Sequence, residues 1–72
     1  MPTYSKVYFE LGKLKAAKGE KGNSAFFLGK YNLYEGRLEL AEHNFKTAIN
    51  DSGLDKEHTS EIKTMQETIK RL

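Results

Sequence analysis

Apolar residues recur along the chain at intervals of three and four, the spacing that lines up side chains on one face of a helix. Tyr4, Val7, Tyr8, Leu11 and Leu14 form the first such row, predicting a helix over about 5–18 that ends at Gly19-Glu20-Lys21-Gly22. Asn23 or Ser24 follows as a candidate N-cap, since either side-chain oxygen can accept from an otherwise unpaired amide. The second helix then runs over about 23–35, with Gly36 closing it. Phe26, Phe27, Leu28, Tyr31, Leu33 and Tyr34 make it apolar nearly all round, so it should lie between other elements. A third helix over about 38–50 gathers Leu38, Ala41, Phe45, Ala48 and Ile49 on one face, and Gly53 suits the left-handed turn that ends a helix. Asp55 can cap a fourth over about 55–71, where Ile62, Met65, Ile69 and Leu72 form a single stripe, the pattern of a lid. No alternation at period two competes with these helices, so the fold class is all-α.

Glycine inside a helix costs about 1 kcal/mol relative to alanine, and close approach of a neighbouring helix is the usual compensation. Gly29 and Ala41 are therefore expected where the second and third helices cross back to back, with Phe45 as the large residue between small ones. A fainter echo spaces Phe9-Glu10-Leu11-Gly12-Lys13 seventeen residues before Phe26-Phe27-Leu28-Gly29-Lys30, and Gly19 stands seventeen before Gly36. The echo suggests that the first and second helices meet the same packing requirement.

Leu28-Gly29, Gly36, Ala41-x3-Phe45 and Ala48 stand at the relative separations of the tetratricopeptide repeat, and over about residues 23–55 the chain resembles that family. Ala25 departs from the pattern at the tryptophan position, Asn32 at the tyrosine position with Tyr31 one place early, and Gly53 where a proline is common. The resemblance implies four short helices in antiparallel helix–turn–helix hairpins, a right-handed superhelical segment, and a peptide groove lined by the first helix of the repeat. Carried over, the partner-binding positions are Asn23, Phe26, Lys30, Leu33 and Tyr34. The same aromatics serve equally well as core or as the seam of a homodimer. The carboxylate clamp of some family members is absent, because Phe26 stands where its lysine would be. Repeat arrays draw stability from neighbouring units, and one unit with flanking helices is short of a full array. Self-association is one remedy.

The chain's 72 residues are read as a single domain with a small core, and the absence of cysteine excludes disulfides and thiolate metal sites and fits the cytoplasm. Charges at Lys6, Glu10, Lys13 and Lys15 interrupt any apolar run near the start, against a signal peptide or membrane span. Residues 1–30 hold six lysines and two glutamates, while residues 31–72 hold six basic and eight acidic side chains, so a basic front precedes a mildly acidic back. Lys6, Lys13, Lys15, Lys18 and Lys21 beside Tyr4 and Tyr8 offer a nucleic-acid alternative, but those tyrosines share the row the first helix needs for packing. Glu39 and His43 sit one turn apart at a metal-ligand spacing, yet two ligands from one helix do not close a site, and His58 reads as a packed or solvated imidazole. No nucleophile triad or phosphate loop can be assembled, so no cofactor, metal or catalytic residue is assigned. The reading is a non-catalytic protein-interaction module, either docking a peptide or pairing with its own copy.

Overall fold

The computed structural model describes residues 5–71. Four helices pack together: α1 Ser5–Ala17, α2 Lys21–Tyr34, α3 Leu38–Ile49 and α4 Lys56–Arg71, with no strand among the described residues. α2 lies between α1 and α3, as its all-round apolar surface requires, and α4 packs against α3 and α2. The core is built from Ala25 and Phe26 of α2, Ala41, Phe45 and Ala48 of α3, and Ile62 and Ile69 of α4.

The seventeen-residue echo is a recurrence of backbone as well as of sequence. Gly19 and Gly36 have φ of 79° and 83°, and the residues after them, Glu20 and Arg37, share φ −92° and ψ 76°. Around each glycine the amides find equivalent carbonyls: Gly19 to Ala16 and Gly36 to Leu33, Glu20 to Lys15 and Arg37 to Asn32, Ser24 to Glu20 and Ala41 to Arg37. A left-handed glycine thus closes one helix and aims the chain into the next, twice over.

Each crossing is made at a glycine one step further along. A Cβ on Gly12 would stand 2.8 Å from Cδ2 of Leu28, and a Cβ on Gly29 would stand 2.6 Å from Cδ1 of Phe45. Leu28 and Phe45 are themselves seventeen residues apart. The α1–α2 crossing is locked by the Ser24 hydroxyl donating to the Gly12 carbonyl at 2.8 Å, with Phe9 on Tyr31 and Tyr8 on Tyr34 at ring separations of 5.1 and 5.5 Å. At the α2–α3 crossing the Asn32 side-chain NH2 donates to the Asn44 side-chain oxygen at 2.7 Å.

Four local expectations are corrected. α2 begins at Lys21 rather than at Asn23 or Ser24, because the Glu20 carbonyl already accepts from Ser24 and the Ser24 hydroxyl is engaged across the crossing. Gly22 is not a break but a buried residue of α2, packed against the Asp51 side chain. Gly53 does not supply a left-handed turn: among the described residues only Gly19 and Gly36 have positive φ, and the Gly53 amide instead donates to the Asp51 carboxylate at 3.1 Å. The row assigned to α1 is rotated, since Val7 and Leu14 are each 51% exposed while Ser5 and Gly12 are buried. Small residues let α2 approach on the Gly12 side, so Val7 and Leu14 face out while Tyr8 and Leu11 of the same row are half-buried. Tyr4 and Leu72 lie outside the described residues.

Candidate functional site

Besides its apolar contacts, α4 with the residue before it is joined to α2 by two polar links and one ring stack, next to a cleft. The Asn23 side-chain oxygen accepts from the Asp55 amide at 3.3 Å while its NH2 donates to Glu20 at 3.0 Å, so this buried amide ties the starts of α2 and α4 together. That bond is the first cause of a Glu20 carboxyl held below its ordinary range, with burial opposing it and Lys15 assisting. His58 lies flat on Phe26, with centroids 3.9 Å apart and planes 14° from parallel. Its Nδ1 is buried without a hydrogen-bond partner, and its Nε2 stands 3.9 Å from the Asp55 carboxylate. One turn further along α4, Glu61 receives Lys30 at 3.4 Å. The Lys30 ammonium also rests 4.7 Å from the Tyr8 ring centre and 5.4 Å from that of Phe26.

Beyond Lys30 the α2 and α4 surfaces diverge into an open cleft of about 290 Å³, lined by Lys30, Tyr34, Ser60, Glu61, Thr64 and Met65. Its chemistry is mixed: a tyrosine ring with a hydroxyl, a flexible thioether, two hydroxyls, and an ion pair that leaves little net charge.

The five sequence-derived positions divide in the structure. Lys30 and Tyr34 share the cleft. Leu33 is half-buried and packs against the core, and Asn23 is spent on joining two helix starts. Phe26, at 1% exposure, presents no surface to a partner and supports His58 instead. Ser60, Glu61, Thr64 and Met65 were not legible as cleft residues, because nothing in the periodicity of α4 says which side of its stripe overhangs α2. Of the lysines weighed for nucleic acid, Lys13 pairs with Glu10 and Lys15 with Glu20, both at 3.5 Å, while Tyr8 is half-buried beneath Lys30. Among the described residues no three His, Cys, Asp or Glu side chains gather as a metal site. No helix among them is long and apolar enough to cross a membrane.

Comparison of the chain with known protein families, with curated proteins and with solved structures returns no match.

Proposed function

We propose that the chain is a non-catalytic protein-interaction module, related in design to the tetratricopeptide repeat, that holds a short peptide segment of another protein in the cleft between α2 and α4. The observation that carries this reading is the convergence of Lys30, Tyr34 and Met65 on one open lining, while the remaining large side chains of α2 are committed to packing. Because Lys30 is paired with Glu61, recognition rests on apolar contact with Tyr34 and Met65, with the hydroxyls of Ser60 and Thr64 available to peptide backbone. The resemblance to the repeat family points the same way, and Gly29 against Phe45 is its physical counterpart here.

A display library of short peptides selected against the whole chain tests the proposal. Selected peptides should compete with one another and should bind Tyr34→Ala at least about tenfold more weakly, the scale expected for losing one buried aromatic contact. The helical circular dichroism of that variant should match the parent, since Tyr34 is 45% exposed. Peptides that bind Tyr34→Ala and a Met65→Gln variant as well as the parent would exclude the cleft as the site.

A further inference from the structure

Independently of the cleft, we infer that the outer face of α1 is a docking surface for one amphipathic helix of a different protein, a helix that presents a glycine or alanine row flanked by acidic residues. The seventeen-residue step superposes Val7, Leu11 and Leu14 on Ser24, Leu28 and Tyr31, and these on Ala41, Phe45 and Ala48. In α2 this row receives α1: Ser24 bonds to the Gly12 carbonyl, Leu28 fills the space above Gly12, and Tyr31 stacks near Phe9. In α3 it is fully buried, with Phe45 against Gly29. In α1 the ends of the same row face outward, with Val7 and Leu14 each 51% exposed and Leu11 half-buried between them. One row of three residues accepts a preceding helix twice in this molecule, and the third time its two outer members stand open.

The occupant's chemistry follows from its two equivalents. Both seated helices offer glycine at the crossing, Gly12 and Gly29, so a helix on α1 needs a small residue there to reach the same separation. Lys6 stands next to Val7 and Lys18 four residues after Leu14 in the turn that follows α1; both are exposed and have no ion-pair partner among the described residues, whereas Lys13 and Lys15 do. Acidic side chains complement them. A second copy of this chain fits poorly on both counts. Its glycine rows are covered by α2 and α3, the position one step beyond Gly29 is the exposed Lys46, and two α1 faces brought together would oppose like charges.

The probe is a hydrocarbon-stapled helical peptide with the sequence of Ser5–Ala17, carrying Lys6→Glu, Lys13→Glu and Lys15→Glu for acidic flanks, and Val7→Gln and Leu14→Gln so that it accepts no helix itself. By fluorescence anisotropy it should bind the full chain saturably. Val7→Glu with Leu14→Glu in the protein should weaken binding at least about tenfold, as loss of two apolar contacts and repulsion from the peptide's glutamates require, and Gly12→Leu in the peptide should do the same. Met65→Gln in the protein should leave it unchanged, separating this face from the cleft. If circular dichroism shows the glutamate variant unfolded, Val7→Ser with Leu14→Ser serves in its place. Absence of saturable binding, or indifference to either set of substitutions, overturns the inference. So does a concentration-dependent dimer in sedimentation that the Val7 and Leu14 substitutions dissociate, since a second copy would then be the occupant.

Discussion

Gly12 and Gly29 occupy equivalent positions one step apart, yet the neighbours they face differ in how far they can yield. Above Gly12 stands Leu28, a half-buried side chain with other rotamers to adopt; above Gly29 stands the ring of Phe45, fully buried and held on every side. Gly12→Ala should therefore gain about as much from helix propensity as it loses to crowding, leaving stability within about 1 kcal/mol of the parent. Gly29→Ala should destabilise by about 1–3 kcal/mol despite the same propensity gain, because the ring has nowhere to go. Urea unfolding of the two variants side by side measures the contrast, and equal midpoints would mean that the α2–α3 crossing is not tight. The same question of what a side chain is free to do separates Phe26 from Tyr34. Both were candidates for partner contact on one helix, but the ring that His58 covers is lost to the surface, and the ring eight residues later overhangs the cleft.

Among the elements, α4 is the one whose attachment is narrowest. Only Ile62 and Ile69 of its sixteen residues are buried, and it packs against α3 and α2 far more sparingly than α1 or α3 packs against α2. Its other links, Asn23 to Asp55, His58 on Phe26 and Lys30 to Glu61, lie along its first turns. Local opening is governed by how much packing an element must give up, so α4 should open before the α1–α3 stack. Amide hydrogen exchange followed by mass spectrometry should show protection lost first across 56–71, and Ile62→Ala, at about 2–5 kcal/mol for a fully buried isoleucine, should accelerate exchange throughout α4. Uniform exchange from all four helices would contradict this ordering. Because α4 supplies four of the six cleft residues, the cleft exists only while α4 is seated.

For the molecule as a whole, α1, α2 and α3 are each joined to the next by a short turn and packed directly against it, so forming one crossing demands little closure of long loops. Topologies of that kind fold quickly, and temperature-jump relaxation should fall in the microsecond-to-millisecond range. A relaxation of seconds would point to a rate-limiting event outside this sequential packing. The charge asymmetry is also a whole-molecule property. The basic front seen along the chain is carried largely by α1 and the turn after it, the helix on which Val7 and Leu14 are exposed.

The sequence by itself determined the four helices, the central place of α2 and the glycine crossing at Gly29, because apolar spacing and the cost of an unneeded glycine are local facts that hold whatever the surroundings. It also carried the seventeen-residue step, since Gly19 and Gly36 each meet a left-handed turn that few other residues adopt. Only the tertiary structure decided which side of α1 faces inward, for small and large residues are both apolar and only the approach of α2 selects between them. Tertiary packing alone took Asn23 and Phe26 out of contact with a partner, by bringing Asp55 and His58 from more than thirty positions away, and it alone set Ser60, Glu61, Thr64 and Met65 opposite Tyr34. Such pairings depend on the rotation and tilt of one helix over another, which no spacing within either helix encodes.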